Sequence, residues 1–152
     1  MTIAVVGNGA VGLLAVLSAR QMGAERIIAM SRHEKRQKLA LEFGATGIVT
    51  ERGDEGVARI KDLTKGVGAD AVLECVATQE SMMQAIRSTR PGGYVSYVGV
   101  PHDVELKGEE LFFAHVHFTG VPHQCAVFYR SSSIWYGRKR SIPARCSILP
   151  SL

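Results

Sequence analysis

Three glycines, Gly7, Gly9 and Gly12, stand in the spacing Gly-x-Gly-x-x-Gly, with Asn8, Ala10 and Val11 between them. A short branched apolar run, residues 3–6, precedes them, and a helix-forming run, residues 13–21, follows. That context puts a phosphate group at a helix N-terminus, where unpaired backbone N–H groups and the positive end of the helix dipole favour an anion. Each glycine has a separate task. Gly7 permits the tight turn, Gly9 lets the backbone approach a pyrophosphate, and Gly12 lets the helix pack closely on the strand.

A second strand ending about twenty residues further on would meet the adenosine ribose of a dinucleotide. A carboxylate there selects NAD, and its absence beside an arginine accommodates the 2′-phosphate of NADP. Residues 27–30 read Ile-Ile-Ala-Met and run into Ser31 and Arg32, with Arg36 one helical turn later. Ser31 can donate to a phosphate oxygen, and Arg32 offers a planar fork suited to phosphate. This pattern favours NADP over NAD. Two plainer readings stand beside it: Ser31 caps the next helix through the capping-box pattern Ser31-Arg32-His33-Glu34, and Arg36 is a solvated surface charge.

The elements that must position these residues alternate from the first residue. Strands are expected near 3–6, 26–30, 47–50, 71–74, 94–98 and 115–119, and helices near 10–22, 33–43, 54–63 and 79–89. Strands alternating with helices of ten or more residues build βαβ units and a parallel sheet. The expected fold is therefore α/β: a Rossmann-type, doubly wound parallel sheet with helices on both faces and its ligand crevice at the carboxyl ends of the strands. Met22-Gly23 and Phe43-Gly44 read as helix ends, and Arg90-Pro91-Gly92-Gly93 as a helix-to-strand turn.

Taken together, Val5-Val6-Gly7-Asn8-Gly9-Ala10-Val11-Gly12-Leu13, Gly23-Ala24-Glu25-Arg26-Ile27-Ile28, Phe43-Gly44-Ala45-Thr46, Arg90-Pro91-Gly92-Gly93-Tyr94-Val95 and Val98-Gly99-Val100 resemble one family. They look like the cofactor domain of the zinc-dependent alcohol dehydrogenases, within the medium-chain dehydrogenase/reductases. The resemblance spans about residues 2–120. It implies that Cys75, Val76 and Ala77, after the fourth strand, and Val98, Gly99 and Val100, after the fifth, line the nicotinamide half of the pocket. Cys75 reads equally as a small residue buried at a strand end. Members of the family carry their catalytic zinc on a separate N-terminal barrel domain, where it polarises the alcohol or carbonyl oxygen during hydride transfer. Met1 directly precedes the first cofactor-domain strand, so no catalytic residue, proton relay or metal ligand is expected in this chain. His115-Val116-His117 alternates as on a strand, but lacks a third ligand at fitting spacing and reads as packing or surface.

Composition narrows the function classes. A chain of 152 residues fits one domain with a proper core. No apolar run approaches the roughly 18 residues of a membrane helix, and no signal-peptide layout is present, so the expected compartment is the cytoplasm. Cys75, Cys125 and Cys146 are an odd count without metal-ligand spacing. The expected partners are the dinucleotide and either a separate catalytic domain or a second copy, with neither nucleic acid nor membrane.

The net charge of +4 is concentrated at the end, with Arg130, Arg138, Lys139, Arg140 and Arg145 and no Asp or Glu after Glu110. A basic tail ordinarily suggests an anionic partner. Here the pattern itself stops after Gly120, and residues 121–152 show no amphipathic period. Back-translating residues 121–128 with G/C-rich codons and starting in the last base of the Gly120 codon yields Gly-Pro-Ala-Pro-Val-Arg-Arg-Phe. Continuing through Ser147 yields Leu-Pro-Glu-Leu-Ile-Asp-Leu-Val-Trp-Ala-Gln-Ala-Ile-Asn-Pro-Gly-Lys-Val-Phe-Asp. That has a helical period and a Pro-Gly stop, and resembles the family's own continuation. The expected organisation is a dinucleotide-binding domain over 1–120 and an aberrant, out-of-phase tail over 121–152. Three readings of function follow: the cofactor half of an NADP-dependent alcohol dehydrogenase, a non-catalytic NADP(H)-binding module, or an inactive product of a frameshifted gene.

Overall fold

The computed structural model describes residues 1–120; the out-of-phase reading of 121–152 lies outside the described residues. Eleven elements run in order: β1 (Thr2–Val6), α1 (Ala10–Gln21), β2 (Arg26–Met30), α2 (Glu34–Phe43), β3 (Gly47–Val49), α3 (Gly53–Leu63), β4 (Ala69–Glu74), α4 (Gln79–Ser88), β5 (Thr89–Tyr97), α5 (Gly108–Ala114) and β6 (His117–Gly120). The strands form one parallel sheet in the order β3-β2-β1-β4-β5-β6. That is the doubly wound order expected from the alternation, with its reversal between β1 and β4.

Strands covered on both faces read as continuous apolar runs, and β1 and β2 follow that rule after their first residues, Thr2 and Arg26. Pleating sends alternate residues to opposite faces. Ala4, Val6, Ile28, Met30, Val49, Val72 and Val95 join Ile60 of α3 and Met82, Ala85 and Ile86 of α4 in one core. Val5, Ile27 and Ala29 are buried outside that cluster, as are Val16 and Ala19 of α1 and Ala40 and Phe43 of α2. Each fully buried Ile or Val contributes roughly 1.5–3 kcal/mol of transfer free energy.

Several local expectations hold and several do not. Gly44 closes α2 in the left-handed region (φ 116°), its N–H donating to Ala40 and Leu41. The stretch Arg90-Pro91-Gly92-Gly93 lies inside β5 as a register shift, since Ala69 faces Thr89 while Ala71 faces Tyr94. A side chain on Gly93 would strike the Asp70 carbonyl oxygen at 2.8 Å, so the bulge needs glycine there. Ser31 does not cap α2: His33 occupies the N-cap, and the Ser31 Oγ only accepts a long bond, 3.4 Å, from the His33 N–H. A reciprocal capping box occurs instead between Thr78 and Ser81, at the start of α4. His115 does not belong to the last strand; it ends α5 in the left-handed region (φ 51°), and β6 begins at His117. No described helix is long and apolar enough to cross a membrane.

Candidate functional site

The chain leaves β1 at Val6 and turns at Gly7 with φ +91°, a region L side chains enter at a cost. A Cβ on Gly7 would stand 2.3 Å from Val76 Cγ2, and one on Gly12 would stand 1.9 Å from the Gly7 carbonyl oxygen. Gly9 differs: nothing lies within 4 Å of the position its Cβ would take. Gly7 and Gly12 are therefore packing glycines, while Gly9 borders open space. Gly9 is also the N-cap of α1 and brings no side-chain cap, so the first-turn N–H groups are left for an outside acceptor.

That space belongs to a cleft of about 320 Å³ at the carboxyl ends of the strands. Gly7, Asn8 and Gly9 form its floor, Ser31, Arg32 and Arg36 one side, and Cys75 and Val76 the other. Of the remaining residues singled out in the sequence, Ala10, Val11 and Gly12 continue into α1, while Ala77, Val98, Gly99 and Val100 lie off the cleft lining. Val98, Gly99 and Val100 nonetheless adjoin the β4 exit: the Val98 N–H donates to the Glu74 carbonyl at 3.0 Å, and a Cβ on Gly99 would meet the Ala77 Cβ at 2.6 Å. The strand order puts Arg32 and Val98 three inter-strand steps apart, about 14 Å at the usual spacing.

The β2 side is tied together by hydrogen bonds. Asn8 Nδ2 donates to the Arg36 carbonyl at 3.2 Å, and Gln37 Nε2 donates to the Ser31 carbonyl at 2.8 Å. The glycine loop and the first turn of α2 are thus linked, with Arg32 and Arg36 bordering the cleft. No carboxylate ends β2. Three residues after β3 that the sequence did not single out, Thr50, Glu51 and Arg52, also line the cleft. Glu51 accepts from the Thr50 N–H at 2.9 Å and the Thr50 hydroxyl at 3.2 Å. Its own backbone N–H leads the contributions that hold its carboxyl below the usual range. Parallel pairing of β2 with β3 brings these residues in, and a local reading of the sequence has no register for it.

On the β4 side, Glu74 is fully buried, and its Oε1 accepts the N–H groups of Val76 and Ala77, each at 2.8 Å. The turn they form holds Ala77 at φ +70°. Burial, followed by the neighbouring Glu74 charge, pushes the Cys75 thiol up to about 12, which keeps it protonated and unreactive at neutral pH. Thr78 and Ser81 bring the start of α4 to the same wall.

The fit differs for the two groups a dehydrogenase would hold. An open backbone cradle, uncapped helix amides and two arginines suit the pyrophosphate and phosphate groups of a dinucleotide. Zinc is not fitted: no three His, Cys, Asp or Glu side chains gather as ligands among the described residues. His117 stacks on Tyr94 at 4.6 Å.

Comparison with known proteins agrees with this geometry. The family described as zinc-binding dehydrogenase matches residues 10–133. The probable zinc-binding alcohol dehydrogenase of Mycobacterium tuberculosis is 43% identical over 103 residues, covering 68% of this chain and 26% of that protein. The NADP-dependent isopropanol dehydrogenase of Entamoeba histolytica is 32% identical over 124 residues, 78% of this chain and 34% of that protein. Among solved structures, the alcohol dehydrogenase TADH from Thermus sp. ATN1 superposes with a TM-score of 0.82 at 29% identity, over 92% of this chain and 41% of that one. A Sinorhizobium meliloti structure determined with NADP bound gives 0.76 at 28% identity, over 93% of this chain and 43% of that one. The chain spans 26% to 38% of the length of curated relatives such as these.

Proposed function

This chain belongs to the zinc-binding dehydrogenase family, and from that premise we propose that residues 1–120 bind a nicotinamide dinucleotide with NADP(H) preferred over NAD(H). The observation that carries the preference is the exit of β2: Ser31 and Arg32 border the cleft where an NAD-selective site would place a carboxylate. In this reading the α1 amides and the backbone at Gly9 receive the pyrophosphate. The Ser31 hydroxyl and the Arg32 guanidinium take the 2′-phosphate, with Arg36 adding positive charge. The loops 75–77 and 98–100 receive the nicotinamide half. Support comes from the NADP named for the Sinorhizobium meliloti structure and from the NADP-dependent Entamoeba relative.

The bound nicotinamide supplies hydride chemistry. The described residues bind and orient it through the open backbone at Gly9 and the arginines at the β2 exit. We therefore assign these residues the cofactor half of an alcohol dehydrogenase-like reaction, with the chemistry at the substrate oxygen supplied by residues outside 1–120. Isothermal titration of the purified chain with NADPH and NADH tests the reading. The expected result is NADPH binding at least tenfold tighter than NADH; equal affinities, or tighter NADH, would overturn the preference.

For residues 121–152 the proposal is translation out of phase after loss of one base near codon 120. It is supported by the ordered family-like peptide read in the neighbouring frame. Sequencing the DNA across that codon decides it, and a neighbouring frame without that peptide removes it.

A further inference from the structure

Glu74 ends β4 fully buried, with Oε1 accepting from two successive amides at 2.8 Å, and its second oxygen, Oε2, meets no partner among the described residues. A buried carboxylate is costly unless it is well hydrogen-bonded, and this one has two amides for two oxygens. What those bonds hold is a specific turn. The amides of Val76 and Ala77 are drawn inward, and peptide planarity turns the carbonyl oxygens of Cys75 and Val76 the opposite way. Ala77 is kept at φ +70°, a region alanine leaves when free to do so.

The turn is gripped from two further sides. Val76 Cγ2 fills the place a Gly7 side chain would need, and the Ala77 Cβ lies 2.6 Å from where a Gly99 Cβ would stand. The Glu74 backbone joins in, its carbonyl accepting the Val98 N–H. One buried carboxylate thus sets the height of a turn wedged between the glycine loop and the β5 exit.

We infer that Glu74 is a positioning residue for the nicotinamide half of the cofactor, acting through the Val76–Ala77 turn and touching no part of the ligand itself. The inference rests on the proposed dinucleotide reading of the cleft. It separates the two halves of the ligand: the adenosine half sits against Ser31 and Arg32, across the sheet from Glu74, and gains nothing from this carboxylate.

The test uses the full chain and two ligands, NADPH and 2′-phospho-ADP-ribose, which lacks the nicotinamide. Affinity is measured by titration, and the dihydronicotinamide environment by NADPH fluorescence. Glu74→Ala is expected to weaken NADPH at least tenfold and abolish the emission change, while 2′-phospho-ADP-ribose stays within twofold of wild type. Glu74→Gln keeps an oxygen to accept both amides and is expected to stay within threefold of wild type for both ligands. Should Glu74→Ala not fold, Gly99→Ala presses on the same turn with Glu74 intact and is expected to give the same selective loss. Equal weakening of both ligands, or of neither, in the folded variant overturns the positioning role and leaves the reading of the cleft standing. Failure of the wild-type chain to bind either ligand overturns that reading, and the inference with it.

Discussion

Gly12 and Gly7 are in such close approach that a single methyl group on Gly12 would lie 1.9 Å from the Gly7 carbonyl oxygen. The obstacle is backbone, which cannot swing aside as a side chain would. Gly12→Ala therefore forces α1 away from β1 and reshapes the loop that presents Gly9. Overpacking costs about 1–3 kcal/mol where side chains can give, and the rigid partner here places the cost at the top of that range. Chemical denaturation should show a loss of about 3 kcal/mol, with NADPH binding abolished. Gly9→Ala, entering open space, is expected to keep wild-type stability and to lose only cofactor affinity, by about tenfold.

Arg32 separates the two dinucleotides. A charge-assisted hydrogen bond to phosphate contributes about 1.5–3 kcal/mol, so Arg32→Ala should weaken NADPH by roughly 10- to 150-fold. NADH, which has no 2′-phosphate, should change by less than about threefold. Parallel titrations of both cofactors check this. A variant that loses both equally would make Arg32 a structural residue of the turn between β2 and α2.

The parts of this fold that could be read from sequence are those whose causes are local. The spacing of Gly7, Gly9 and Gly12 and the apolar runs of β1 and β2 carry their own geometry, and the β2 exit at Ser31 and Arg32 follows by counting. Residues brought in by pairing were not legible. Glu51 and Arg52 reach the cleft because β3 lies beside β2, a relation between distant segments. Helix α5 escaped notice because none of its residues is buried and Phe112 and Phe113 both face outward, so its sequence has no amphipathic period. The capping box at Ser31 was a pattern without the geometry: its hydroxyl reaches only the N–H of His33, at 3.4 Å. Glu74 left a signal that was available, a carboxylate closing the apolar run 71–73 at the end of the strand Ala69–Glu74. Burial of that kind needs a polar partner, and the turn amides supply it.

Asp70 makes stability depend on acid pH. Its carboxylate accepts the Thr2 N–H and the Arg90 Nε–H, each at 2.7 Å, joining the starts of β1 and β4 to β5. The Thr2 N–H first, and then Arg90, hold its carboxyl below the ordinary value of 3.8. A value lower in the folded state than in the unfolded one contributes stability above the ordinary value, lost as pH falls through the lowered one. The pair is about one-third exposed, so solvent screening limits it to about 1 kcal/mol or less. Asp70→Asn should flatten the stability profile below about pH 4 and lower the plateau at pH 7 slightly, as read by urea denaturation across pH.

Cys75 should resist alkylation in the native protein. Burial, with the Glu74 charge beside it, pushes the thiol up to about 12, so little thiolate exists at pH 8. Iodoacetamide at pH 8 followed by peptide mapping is expected to leave the Cys75 peptide unmodified in the native chain and to label it fully in denaturant. Rapid native labelling would mean that the half-buried thiol ionises far more readily than a value of about 12 allows.

Restoring the neighbouring reading frame after Gly120 should stabilise the domain. At the outer edge of the sheet, β6 buries none of its four residues: Phe118 and Gly120 are half-buried, His117 and Thr119 exposed. Phe118 stacks on Tyr97 at 4.9 Å and packs only partly against the core that Val95 completes. The peptide read in the neighbouring frame has the apolar period of a helix, which would supply a cover for that edge. Each further 100 Å² of apolar surface removed from water contributes about 2.5 kcal/mol at most, and each kcal/mol raises the melting temperature of a chain of this size by about 2–4 °C. A chain carrying the restored frame is therefore expected to melt at least about 5 °C higher than the present one. Its affinity for NADPH should stay within about twofold, since every residue assigned to the cleft lies before Gly120. Differential scanning calorimetry of the two chains, alone and with NADPH, measures both quantities. An unchanged melting temperature would mean that the β6 edge gains nothing from the restored segment.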